Sequence, residues 1–354
     1  MSIRRVLAAV AVLAFSVGTL DIAAQKNDNK NQQPKRSKTE QQDVDLSVAM
    51  VDRVVQGALP APADYTMTWE SNHFTKGQDN STYAPFTIVV DKALAGKQVA
   101  YYSRVVEKGA PPPAAPDPKA KEDKNAPARP SYPWERITFT QVPESGRMSR
   151  AFVLKPGDYD VYITLKEKST AEIKDLAKAP APKMAFIKKE LTVPDYNGAE
   201  LKMSTPILAG TVEPLAAPLS PAQTEENPYG VFGAMKIVPS VDGKFSKAGE
   251  FNIVFFVYGA GDAGGGKPNV TLDYSFYTKQ GDGEKYFNKT APQELNGTTL
   301  SPDFNVAAGH QVPGMLSIPL SSFPVGDYRL EIKVTDKAAA NKSITQSVNF
   351  SVGA

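Results

Sequence analysis

Apolar and polar residues alternate with a period of two along much of this chain, and the alternation is sharpest in two segments that repeat one another. Leu154-Lys155-Pro156-Gly157-Asp158-Tyr159-Asp160-Val161-Tyr162-Ile163-Thr164-Leu165 returns as Phe323-Pro324-Val325-Gly326-Asp327-Tyr328-Arg329-Leu330-Glu331-Ile332-Lys333-Val334. In each, Gly and Asp supply a tight turn. After it Tyr159, Val161, Ile163 and Leu165, or Tyr328, Leu330, Ile332 and Val334, fall on one face. In the second copy the opposite face is Asp327, Arg329, Glu331 and Lys333, all charged. This pattern predicts half-buried antiparallel strands, and its recurrence predicts two β-sandwich domains. Tyr159 and Tyr328 follow the turn at the position of a tyrosine corner.

The remaining pattern supports an all-β fold of two immunoglobulin-like antiparallel sandwiches. Over 60–196 the strands expected are 65–70, 83–90, 98–107, 134–140, 147–154, 158–167 and 184–193; over 230–354 they are 234–239, 250–258, 269–279, 284–289, 315–320, 327–335 and 343–352. Residues 197–229 carry Pro206, Pro214, Pro218, Pro221 and Pro228 and read as a semi-rigid linker. Two stretches, 108–132 and 168–183, are dominated by Pro, Ala and Lys and read as extended loops. Ahead of the first sandwich, Val44, Val48, Val51, Val54 and Val55 approximate a helical face that Gly57 can end, so 43–58 is expected as a short helix packed on the sandwich. Its polar face is not basic, which argues against a membrane-lying role.

Residues 1–24 have the features of a secretory signal peptide. Arg4 and Arg5 precede an apolar run from Val6 to Val17, and Ile22-Ala23-Ala24 offers small-residue cleavage geometry before Gln25. Residues 25–42 are polar and lack anything to bury, as in a disordered spacer. The chain has no cysteine. Exported eukaryotic sandwiches often carry disulfides, so a cysteine-free exported chain points to a bacterial periplasm or cell surface. A net charge of +2 over 354 residues is too small for a nucleic-acid or membrane-surface signature.

Candidate chemistry is sparse. Gly259, Gly261 and Gly264 match G-x-G-x-x-G, and Gly261 with Gly266 and Lys267 matches the start of a phosphate-binding loop. Phosphate cradling needs a helix to begin there, but Val270, Leu272, Tyr274 and Phe276 alternate with polar residues, so the segment is expected to be a hairpin loop with Lys267 as an exposed, dispensable lysine. His73 and His310 are the only histidines, too few for a histidine-rich metal site. Asp262, Asp282 and Asp303 lie in expected loops and could approach a cation, although turn chemistry alone explains Asp beside Gly. No metal or cofactor is assigned. Among the aromatics, Tyr258, Tyr277 and Tyr286 are the candidates for exposed ligand-stacking residues.

Pro214-Leu215-Ala216-Ala217-Pro218-Leu219, Val254 to Gly259, Gly283 to Thr290 and Phe323 to Lys337 resemble the C-terminal module of uncharacterised exported proteins of acidobacterial type. Such modules also resemble those beside GWxTD domains or acidobacterial von Willebrand factor A-related domains. The likeness covers mainly 202–352. It carries over no catalytic residue, since the chain has neither a GWxTD sequence nor a D-x-S-x-S motif. The resemblance implies an envelope protein, not an activity. Three functions are weighed: a noncatalytic structural or protein-binding module of the bacterial envelope, a carbohydrate-binding accessory module, and a hydrolase with an unrecognised carboxylate pair. The first two would require loops and strand edges, or a flat row of exposed aromatics, respectively.

Overall fold

The computed structural model of the chain describes residues 36–110, 131–174, 181–217, 219–231, 235–240, 242–281 and 283–354. The expected signal peptide, residues 111–130 of the first Pro/Ala/Lys-rich stretch and residues 175–180 of the second lie outside them. The fold is all-β, built of several mainly antiparallel sheets with few helices. It divides into two compact units.

The first unit contains, of the described residues, 36–72 and 81–195. Its strands are β1 (Met67–Asn72), β2 (Thr82–Val90), β3 (Gln98–Glu107), β4 (Trp134–Gln141), β5 (Arg147–Leu154), β6 (Gly157–Glu167) and β7 (Met184–Val193). One sheet places β2 between β1 and β5; the other runs β4-β3-β6-β7. Alternation aims Phe86 and Phe152 inward, where they stack at 4.6 Å, and Trp134 of the other sheet meets Phe152 edge-on at 5.5 Å. The tyrosine corner forms as expected, with Tyr159 Oη donating to the Lys155 carbonyl at 2.9 Å.

Helix α1 (Lys38–Val55) starts earlier than its valines suggested, inside the stretch read as spacer. Ser37 caps it and Glu40 completes a capping box, which satisfies amides the helix cannot. The buried face also differs from expectation. Asp43, Ser47, Val51 and Asp52 are its buried residues, and Val48 and Val55 are only partly covered. Acidic side chains can be buried there because cations face them: Lys166 Nζ lies 2.6 Å from Asp43, and Arg104 Nη1 lies 2.5 Å from Asp52.

The second unit contains 73–80 and 196–354. Its named strands are β8 (Lys202–Met203), β9 (Ile207–Pro214), β10 (Met235–Pro239), β11 (Lys244–Ser246), β12 (Glu250–Tyr258), β13 (Val270–Gln280), β14 (Gly283–Lys289), β15 (Gln293–Leu295), β16 (Val312–Pro319), β17 (Gly326–Asp336) and β18 (Lys342–Gly353). One sheet runs β10-β9-β12-β16, with β8 also on β12; the other runs β11-β18-β17-β13-β14, with β15 also on β13. Phe251, Phe255, Tyr274, Phe276, Tyr328, Leu330, Ile332 and Phe350 form a shared core between them.

Two expectations are corrected in this unit. The stretch 197–229 is not a linker: β8 and β9 pair with β12, and Leu201, Met203, Ile207, Ala209 and Tyr229 are buried. Of its described prolines, Pro206 precedes β9 and Pro214 ends it, Pro221 opens a short helix (Pro221–Glu226) and Pro228 begins a tight turn, places where the missing amide costs no ladder bond. The sheets are also not wholly antiparallel, since β11 runs parallel to the C-terminal strand β18.

Candidate functional site

The open face of the six-strand sheet carries the most distinctive surface chemistry. The turn between β13 and β14 pairs Gln280 with Gly283, and counting back along both strands sets Tyr277 opposite Tyr286. On the other side of β13, Tyr277 pairs with Arg329 of β17, which pairs with Asn349 of β18. Tyr286, Tyr277, Arg329 and Asn349 thus form one row across four strands, facing away from the core that Phe276, Leu330 and Phe350 fill. Tyr286 is 52% exposed.

Arg329 is held in place. Its Nε donates to Glu284 Oε2 at 2.8 Å, and its Nη1 donates to Glu331 Oε2 at 2.9 Å and to Ser347 Oγ at 3.0 Å. The guanidinium lies over the Tyr277 ring, 4.3 Å from its centroid. Exposed ion pairs contribute only about 0–1 kcal/mol each, so this arrangement positions the cation more than it stabilises the sheet. The rings of Tyr277 and Tyr286 meet edge-on, 5.9 Å apart at 81°. They therefore do not present the flat row that sugar stacking requires, and one Tyr277 face is already taken by Arg329.

The free edge of this sheet is blunted. A bulge interrupts the β13–β14 register beside Tyr277, and Lys285 and Lys289 on β14 are exposed. Bulges and edge lysines discourage pairing with another strand.

Tyr258, the third aromatic candidate, is not exposed. It is buried at the end of β12, packs against Tyr196 at 4.9 Å between centroids, and its hydroxyl accepts from the Lys76 amide at 2.9 Å. Burial holds its phenol well above the ordinary range. Tyr258 lies on the same face of β12 as Val254, which clusters with Ile207, Ile237 and Tyr229, so this face is packed as the core face is.

The glycine-rich segment connects β12 to β13, so strand follows strand where a phosphate loop needs a helix. Asp262 Oδ1 accepts from the amides of Gly264 at 2.7 Å and Gly266 at 3.0 Å, which is turn chemistry. Among the described residues no three acidic or histidine side chains gather as metal ligands, and Asp282 lies outside them. Lys267 departs from expectation. Its ammonium turns inward and donates to the carbonyls of Ser301 at 2.9 Å, Pro302 at 2.7 Å and Phe304 at 2.5 Å, pinning the 301–304 turn to the loop. Charged hydrogen bonds contribute about 1.5–3 kcal/mol. Lys267→Ala should therefore lower unfolding free energy in urea by about 2 kcal/mol, and an unchanged midpoint would show the three bonds to be dispensable.

His73 is partly buried beside Tyr229, with Nδ1 3.0 Å from the hydroxyl and the rings edge-on at 5.5 Å. Burial depresses its pKa to about 4, so it is neutral near pH 7. His310 accepts the Asn305 amide through Nδ1 at 3.0 Å and packs on Phe304, a loop-fastening role. Sequence reasoning missed a buried polar cluster at Arg104. This fully buried side chain donates through Nε to Tyr102 Oη at 2.7 Å and lies 3.3 Å from Glu135, with its guanidinium 4.5 Å from the Tyr132 ring centroid. The one available signal was an arginine inside the otherwise uncharged run Val99 to Val106.

No protein-family model matches the chain, and no curated protein matches it in sequence. Among solved structures it is similar to trypsin-activated alpha-2-macroglobulin from Escherichia coli, at 13% identity and a TM-score of 0.22, over 83% of this chain and 17% of that one. It is similar to dimeric latent PorU from Porphyromonas gingivalis at 9% identity and a TM-score of 0.30, over 86% of this chain and 21% of that one. A protein described as membrane-anchored from Corynebacterium diphtheriae gives 10% identity and a TM-score of 0.20, over 82% of this chain and 59% of that one. The chain spans less than a quarter of the first two. Scores this low do not establish a shared fold. No helix among the described residues is long and apolar enough to cross a membrane.

Proposed function

We propose that this chain is an exported, noncatalytic protein of the bacterial envelope that binds a protein partner through the open face around Tyr286, Tyr277 and Arg329. The observation that carries the reading is the fixed Arg329, stacked on Tyr277 and held by two glutamates, beside a half-exposed tyrosine. Tyr and Arg dominate the energetics of protein interfaces because they bury much area with a polar end to satisfy. Around them Ser275, Thr345, Ser347 and Asn349 share the face, side chains that adapt their hydrogen bonds to a partner. The signal-like residues 1–24 and the resemblance of 202–352 to exported modules support the envelope setting. The perpendicular rings favour a protein over a polysaccharide.

Photo-crosslinking tests this. A photoreactive residue at position 286 in the mature chain should yield a discrete protein adduct in the producing cell's envelope fraction. Tyr277→Ala and Arg329→Ala should each weaken that complex by about 2 kcal/mol, roughly thirtyfold in Kd. An adduct indifferent to both substitutions, or stabilisation of the chain by envelope polysaccharide without any adduct, would overturn the reading.

A further inference from the structure

We infer that α1 is a lid that opens as a unit while the sandwich beneath it stays folded. The inference rests on how the helix is held. Nearly all of its attachment is polar and directed at residues far along the chain. Gln42 takes both backbone groups of Ile173, donating to the carbonyl at 2.8 Å and accepting the amide at 3.0 Å. Asp43 accepts from Lys166 Nζ and Ser169 Oγ at 2.6 Å each and from the Ser169 amide at 2.9 Å. Lys168 Nζ donates to Glu40 at 2.7 Å, and Arg104 donates to Asp52 at 2.5 Å.

Bonds of this kind are exchanged for bonds to water when the helix leaves, so each contributes far less than its gross strength, about 1.5–3 kcal/mol where a partner is charged. Removing two charge pairs from water on closing opposes much of their attraction. The apolar contact is small: Val51, with Val48 and Val55 partly covered, rests on Tyr102, Tyr162, Val106, Ile137 and Phe186. Leu46 and Met50 stay only partly buried. Most of a helix's stability in a protein comes from packing its apolar face, and that face is small here, so the margin holding α1 closed is narrow.

Opening is also sterically simple. The β3–β6 ladder that α1 covers is complete without it, pairing Val99 to Glu107 with Tyr159 to Glu167. The stretch joining α1 to β1 is largely exposed from Gly57 to Asp64. Segments with few buried apolar contacts open at lower free energy than the core. What opening uncovers is a sheet surface bearing Tyr102, Tyr162 and Phe186 together with the Arg104 and Lys166 cations, a different surface from the Tyr286 face.

The absence of native cysteine makes the test clean. Ser47→Cys places a thiol on the fully buried side of α1, and Val99→Cys places one in β3 within the core. Under native conditions the first should react with a thiol reagent at least a hundredfold faster than the second, and Lys166→Met in the Ser47→Cys background should accelerate it about tenfold further. Equal rates at the two positions would show that α1 opens only with global unfolding and would overturn the lid. Hydrogen exchange on the unaltered chain decides the matter independently should a variant fail to fold: amides of 44–55 should exchange well ahead of those of 99–105, and matched exchange would again overturn it.

Discussion

Gly259→Ala should destabilise the chain by about 3 kcal/mol, while Gly265→Ala should cost only about 1 kcal/mol. Both glycines have φ of +66°, so both substitutions force a left-handed conformation that costs roughly 1–2 kcal/mol in an L-residue. They differ in their surroundings. A Cβ at Gly259 would overlap the Glu200 carbonyl oxygen, whereas a Cβ at Gly265 meets nothing within 4 Å. The backbone cannot yield at Gly259 without disturbing β12 or the chain entering β8, so overpacking adds about 1–3 kcal/mol. Urea unfolding of both variants measures the difference. In a phosphate loop the glycines of the motif would be required by the ligand; here Gly259 is required by a neighbouring backbone. Equal, small losses at both positions would remove that explanation.

Acid should weaken the fold through His73. Its pKa falls from 6.5 in the unfolded chain to about 4 in the folded one because burial disfavours the imidazolium. Between those values the unfolded chain binds the proton and the folded chain does not. Stability contributed at neutral pH is therefore retained above pH 6.5 and lost progressively as pH falls towards 4, reaching roughly 3 kcal/mol at about 1.4 kcal/mol per pKa unit. Carboxylates titrate in the lower part of the same range, so the informative quantity is the difference between the native chain and His73→Gln. The variant should lose less stability over pH 6.5 to 4 by that amount. Parallel pH profiles would mean that the folded chain accepts the proton at His73 without strain.

Much of the fold was legible because a strand's requirements are local. The Gly-Asp-Tyr turns announced both corners, and Tyr328 Oη does donate to the Pro324 carbonyl at 2.6 Å. The Tyr277–Tyr286 juxtaposition was also within reach, since a tight hairpin pairing Gln280 with Gly283 sets the register back as far as Tyr277 and Tyr286. Tyr258 was misjudged for a readable reason. Ile253-Val254-Phe255-Phe256-Val257-Tyr258 is a continuous apolar run, the signature of a strand covered on both faces. Prolines in 197–229 masked strands because Pro marks strand ends as readily as linkers.

Sequence by itself therefore determined the strand periodicity, the all-β class, the two turn-and-tyrosine corners and the polar character of the sheet face bearing Arg329. Tertiary structure alone decided the partners of the charged residues. Lys267 could be an idle loop lysine or the pin of a turn 34 to 37 residues away, and only the fold brings the carbonyls of Ser301, Pro302 and Phe304 to its ammonium. Asp43 and Asp52 read as the wet side of a helix until Lys166 and Arg104 meet them from the sheet. Alternation of apolar residues is set by backbone geometry within a few positions, whereas pairing of charges depends on distances between segments that are remote in the chain, which no local pattern encodes.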